Sequence, residues 1–171
     1  MMKHVLFSVI SLIVSTLTSF AASSNYQPEQ LVFYQSGDVI EERLPDFNKL
    51  SDYVKRLQDV CQRVFATNAK PQMLDIVVAV RPGRQSHVWL VSSVQSDATH
   101  QSLRAELERV KPCDVVDGPV AFAIAGKVAG GDGKKRNAST PMPVEWQKAI
   151  ERHKGSVVIP DGILDTVWPR K

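Results

Sequence analysis

Cysteine is scarce in this chain. Two of 171 residues, Cys61 and Cys113, carry thiols, and no C-x-x-C pair exists, so neither a redox dithiol nor a cysteine-rich zinc site is suggested. There is no H-E-x-x-H and no histidine pair four apart, which removes the common helical metal sites; no metal and no cofactor is expected. A G-x-S-x-G nucleophile elbow is missing too. "GKVAGGDGKKR" fails the phosphate-loop pattern, because Lys135 stands where a serine or threonine should hold Mg²⁺. Charge of one sign is also lacking: 21 bases against 18 acids leave +3, too near neutral to imply a nucleic-acid partner. Long hydrophobic runs are absent after the first residues.

That first run sets the context. Lys3 and His4 precede an apolar stretch from Val5 to Phe20, and Ser19 and Ala21 occupy the −3 and −1 positions of a cut after Ala21. This is the anatomy of a secretory signal peptide, residues 1–21. The stretch holds several serines and threonines and falls short of the roughly 20 residues that span a bilayer, so cleavage is expected over an uncleaved membrane anchor. The processed chain is then exported, periplasmic or secreted, with no stable transmembrane segment. Without Lys3 it has about 150 residues and a balance of +2, enough for one domain with a real core. In an oxidising compartment the even cysteine pair predicts a Cys61–Cys113 disulfide. In the chain-entropy model a bridge closing a loop of about 50 residues is worth roughly 4 kcal/mol.

Residues 22–45 read as a leader and a weak hairpin, "LVFYQSGDVIEERL", turning at Ser36-Gly37-Asp38. Residues 46–171 read as a single α+β domain, a small mostly antiparallel sheet with two or three packed helices. From Asp46, a good N-cap, Phe47, Leu50, Val54, Leu57, Val60, Cys61, Val64 and Phe65 form one apolar stripe on a helix that "TNAKP" stops. "LDIVVAVRPGRQSHVWLVSS", residues 74–93, alternates like a hairpin around Pro82-Gly83. A loop of two or four residues sets Val80 against Gln85, Val78 against His87, Ile76 against Trp89 and Leu74 against Val91, and makes theirs the core face. A second helix follows, capped by Ser96 or Asp97, with Leu103, Leu107 and Val110 inward and His100 on its surface or at its end. The strand "VAFAIAGKV" has Val120, Phe122 and Ile124 on one side and only alanines on the other, a face that a helix can approach closely. Residues 129–142 read as a flexible, basic, Gly-rich loop. A short helix opening at Pro143 points Trp146, Ala149, Ile150 and His153 inward, and the tail holds a short strand and a Pro160-Asp161-Gly162 turn.

Ser86-His87 beside Asp75 is the one local nucleophile constellation, and a lone strand histidine is more often a packing residue. Asn137-Ala138-Ser139 matches a glycosylation sequon. Two basic groups are the candidate contact surfaces. Arg81 and Arg84 flank the hairpin tip with no evident structural duty, and Lys134, Lys135 and Arg136 sit in the basic loop, suited to anionic polymer or lipid.

Residues 54–128 carry a resemblance. "VAVRPGRQSHVWLVSS", "LRAELERV" and "GPVAFAI" run as valine alternation, Gly83 turn, Ser92-Ser93, helix, strand, and so resemble the C-terminal domain of TonB-like and TolA-like periplasmic proteins. The chain departs from that pattern in lacking a tyrosine-proline opening and a Pro-rich spacer; Lys70-Pro71-Gln72 and Lys111-Pro112-Cys113 stand at the pattern's landmarks. What the resemblance implies is binding of a protein partner by strand addition. The expectation is therefore a non-enzymatic interaction module of the envelope or secreted fraction. The alternatives are a small secreted hydrolase or hydrolase inhibitor, and a binder of anionic envelope material.

Overall fold

Every residue of β-strand "VAFAIAGKV" except Lys127 is buried, because this strand lies inside a sheet that is covered on both faces. A computed structural model describes residues 25–67, 69–132, 141–152 and 161–168. In chain order the elements are β1 (Tyr26–Phe33), α1 (Gly37–Arg43), α2 (Phe47–Val64), β2 (Gln72–Arg81), β3 (Gln85–Ser92), α3 (Ala98–Glu108), β4 (Val120–Val128), α4 (Val144–Arg152) and α5 (Asp161–Val167). The four strands form one antiparallel sheet in the order β1-β4-β2-β3. The expected signal segment, residues 1–21, lies outside the described residues, as do Lys134, Lys135, Arg136, Asn137 and His153. So does the strand expected near residue 157. No helix among the described residues is long and apolar enough to cross a membrane.

Two apolar layers sandwich the sheet. Ile76, Val78, Val80, Val88, Val120, Phe122 and Ile124 meet α1, α2 and α3 through Ile40, Leu50, Tyr53, Leu57, Leu103 and Leu107. On the opposite face Val77, Ala79, Trp89, Ala121 and Ala123 meet α4 and α5 through Trp146, Ala149, Ile163 and Leu164. The alanine side of β4 works as its composition predicts. It leaves room for the Trp146 indole, which stacks edge-on to Trp89 with ring centres 5.2 Å apart and is fully buried.

The α2 helix begins where the sequence places it. Asp46 caps it by accepting from the Asn48 N–H at 2.9 Å, and Leu50, Leu57, Val60 and Cys61 are buried. Tyr53 belongs to that stripe, and Phe47, 49 % exposed, does not. Asp97, rather than Ser96, caps α3. His100 is buried instead of surface-exposed: it closes a capping box with Asp97 and brings Nε2 to 2.8 Å from Gln72 Oε1.

Four expectations are corrected. Residues 31–44 are not a hairpin: β1 pairs with β4, and Ser36-Gly37-Asp38 opens α1, whose Ile40 reaches the core. Asp161-Gly162 is likewise the start of α5 rather than a turn. The β2–β3 register is one residue off. Three residues, Pro82, Gly83 and Arg84, form the turn, so Arg81 faces Gln85, Val80 faces Ser86, Val78 faces Val88, Ile76 faces Leu90 and Leu74 faces Ser92. A one-residue slip sends every side chain of a strand to the other face. Trp89 and Val91 therefore join the α4/α5 layer, while Val88 and Leu90 join the α2/α3 layer.

The Cys61–Cys113 disulfide is the fourth. Both thiols are free and buried. Cys113 sits electrostatically beside Tyr53 and Arg56, and Arg56 donates to the neighbouring Lys111 carbonyl at 3.1 Å. Cys61 lies two helical turns beyond Tyr53, about 12 Å further along α2 at 1.5 Å per residue. A disulfide tolerates about 7 Å between Cα atoms at most.

Two outcomes follow from this packing. Trp146→Ala empties the centre of the second layer and should destabilise the chain by about 3–5 kcal/mol in chemical denaturation, as buried aromatics do. Denatured protein treated with iodoacetamide and no reductant should gain two alkyl groups by mass spectrometry; a chain that gains none is bridged.

Candidate functional site

Both hairpin-tip arginines are engaged. The turn runs with Gly83 at φ 84° and Arg84 at φ 59°, the left-handed region that only glycine enters freely. From there the Arg84 guanidinium forks onto Asp114, Nε to Oδ1 at 2.5 Å and Nη2 to Oδ2 at 2.7 Å. Arg81 leaves toward the opposite layer. It pairs with Asp165 of α5 and lies over the Trp168 ring, 4.1 Å from its centre. The reading of two idle charges on one projecting tip is thus corrected. Arg81 ties α5 to the sheet, and Arg84 ties the turn to the segment after α3.

Arg84 also opens onto a cleft of about 420 Å³, lined by Lys49, Asp52 and Arg56 of α2 and by Lys111 to Asp114. Arg84 holds the Asp114 carboxyl below the usual carboxylate range through their hydrogen bond, and the nearby Lys49 and Lys111 add to the shift. Cys113 lines this cleft, yet burial pushes its thiol up to about 11, so at neutral pH it is no nucleophile. Burial pushes the Cys61 thiol up as well. Lys49, Asp52 and Arg56 are spaced three and four apart. That spacing marks one α2 face in the sequence, but its alignment with Arg84 and Lys111 is tertiary and cannot be read there.

The Ser86-His87-Asp75 constellation does not converge. Ser86 and His87 are successive strand residues and point to opposite faces. Asp75 pairs opposite Val91, well along the strand, and accepts from the Gly126 N–H at 3.3 Å. His87 is held instead by α3: its Nδ1 lies 3.1 Å from Glu108 Oε1 and its Nε2 2.9 Å from Arg104 Nη2, with Trp89 edge-on at 4.5 Å. Burial lowers the His87 pKa and Arg104 adds to that, against the opposing pull of Glu108 and Glu145. A neutral imidazole, donating from Nδ1 to Glu108 and accepting at Nε2 from Arg104, satisfies both contacts.

The two sheet edges differ. In β3 the Ser93 N–H bonds to the Met73 carbonyl, so by antiparallel alternation Ser86, Val88 and Leu90 turn their backbone groups outward. There α3 lies alongside, joined to His87, and Val88 is fully buried. In β1 the Tyr34 N–H bonds to the Ala121 carbonyl and the Ala129 N–H to the Asn25 carbonyl. A register shift falls between Pro28 and Gln30, so Tyr26, Pro28, Leu31 and Phe33 face outward. At one end the edge is closed: Gln62 donates to the Tyr26 carbonyl at 3.1 Å, and Pro28 has no N–H to offer. At the other, the outward backbone groups of Leu31 and Phe33 have no partner strand among the described residues, and Leu31 is 40 % exposed. No sequence signal located this edge, because its strand partner lies far along the chain.

No family model, no curated protein and no solved structure matches this chain.

His87 makes stability pH-dependent in a defined direction. Its folded pKa lies below the unfolded 6.5, so the unfolded chain takes up the proton first. The His87 contribution is complete above pH 6.5 and declines as pH falls through the window beneath it. Thermal melts at pH 7.5 and 5.5 should show a drop in Tm on acidification that is smaller in His87→Gln than in the parent; equal drops would remove His87 as the cause. At the tip, Arg84→Ala should leave the urea-unfolding midpoint nearly unchanged, as loss of a solvent-exposed pair does.

Proposed function

We propose that this chain is an exported, non-enzymatic interaction module that binds a protein partner by accepting the partner's extended strand along the open edge of β1. The observation that carries the reading is the asymmetry of the sheet. The β3 edge is covered by α3, whereas β1 offers the outward backbone groups of Leu31 and Phe33 beside an exposed leucine. An open apolar edge is an association hazard that natural sheets otherwise close, and strand addition is the mode that uses it. The resemblance to the TonB-like and TolA-like periplasmic domain supports the same mode, and the N-terminal segment supports an envelope or secreted partner.

The outward parity of Leu31 supplies the test. Leu31→Pro deletes a donor that the β4 ladder does not use, so the sheet should survive with Tm within a few degrees of the parent. With a photo-crosslinker at Gln30, the parent should form a discrete adduct in the envelope or secreted fraction. Leu31→Pro should reduce that adduct about tenfold or more, since a backbone hydrogen bond and the approach of the neighbouring chain are both lost. Leu31→Thr keeps the donor and should retain most of the adduct. Undiminished cross-linking in the folded proline variant would refute strand addition at β1.

A further inference from the structure

We infer that the cleft between α2, the β2–β3 turn and residues 111–114 is a binding site for a doubly charged oxyanion of the phosphate-monoester type. The site is independent of the β1 edge and does not rest on strand addition. Four bases, Lys49, Arg56, Arg84 and Lys111, converge there on two acids, Asp52 and Asp114. Asp114 takes both arms of the Arg84 fork. Lys49 and Lys111 form no ion pair among the described residues, which leaves the cleft two positive charges in excess.

The four bases are exposed and two acids stand among them, so the remaining excess of positive charge makes the cleft a local attractor for an anion. Like charges repel, and the partly buried wall formed by Pro112 and Cys113 weakens solvent screening. The bases also come from three separate segments, so their meeting is a product of the fold and not of a solvated charge run. Arg84 reaches the cleft from a left-handed backbone, a conformation unfavourable for a non-glycine residue that persists where the surroundings hold it.

The donor types specify the ligand class. Two ammonium groups act as mobile point charges, suited to the spread charge of a phosphate dianion. Arg56 is pre-positioned by its bond to the Lys111 carbonyl and by its place over the Tyr53 ring, 5.9 Å from the centre, and has N–H groups left to donate. Arg84, already spent on Asp114, holds the frame while Lys49, Arg56 and Lys111 make the contacts. The same chemistry is presented by a soluble phosphate monoester and by the phosphomonoester headgroup of phosphatidic acid.

The experiment follows backbone amide shifts of the processed chain while inorganic phosphate replaces chloride at constant ionic strength. Saturable shifts at residues 49–56 and 111–114 are expected, weakened about tenfold or more in Lys49→Gln with Lys111→Gln and unchanged in Lys148→Gln, a control on α4. Shifts that do not saturate, or that survive in the double variant, overturn the site. Co-sedimentation with vesicles of phosphatidylcholine containing phosphatidic acid, against vesicles of phosphatidylcholine alone, then identifies the source. Sedimentation lost in the double variant assigns a lipid headgroup. Phosphate saturation without sedimentation assigns a soluble phosphate-bearing molecule. Sedimentation that persists in the double variant, with no saturable phosphate response, also overturns the site.

Discussion

Parity at one turn decides how this molecule is layered. Three residues between Arg81 and Gln85 send Val88 and Leu90 to the α2/α3 side and His87, Trp89 and Val91 to the α4/α5 side. With two or four residues in the turn, Trp89 would enter a layer already filled by Phe122, Tyr53 and Leu57. The second layer would then lose the ring against which Trp146 packs. The turn also lets Arg84 reach Asp114, while Arg81, of the same β2 parity as Val77 and Ala79, goes to α5. Arg43 completes the attachment of α5 from beside Pro119, at the same end of the sheet, gripping Asp161 with both guanidinium arms at 2.7 and 2.8 Å.

Periodicity made most of this core legible. The α2 stripe, the α3 cap and the two-sided character of β4 all follow from residues within one element, where spacing alone sets direction. What escaped was set between elements. Tyr26 is fully buried against Gly126, where a methyl group would lie 2.8 Å from the phenol oxygen, and nothing near Tyr26 in sequence announces that contact. Val39 to Arg43 reads as a second strand by composition, but Ile40 has a hydrophobic layer to enter as a helix. Val77, Ala79 and Trp89 are covered by helices from the far C-terminal part of the chain, so nothing near them in sequence shows what buries that face.

The candidate surfaces divide in the same way. Arg84 stood out in the sequence because a charged residue beside a Pro-Gly turn has little to bury. Its partners Lys49, Arg56 and Lys111 looked like ordinary helix-surface charge until the fold gathered them. Arg81 drew notice for the same reason and turned out to brace α5. Charge at a tip marks a residue as worth explaining; only the tertiary neighbours say whether the explanation is a brace or a binding group.

The pairing of β1 with β4 has a kinetic side. Tyr26 and Val128 are opposite each other although about a hundred residues separate them, and β2 cannot gain its second neighbour until β4 exists. A chain emerging N-terminus first therefore holds β1 without a partner through most of its synthesis, while only α2 and the β2–β3 hairpin can form locally. Until the last third of the chain is made, the sheet lacks β4, the strand that joins β1 to β2, and the loop-closure entropy of that long-range pairing is met only then.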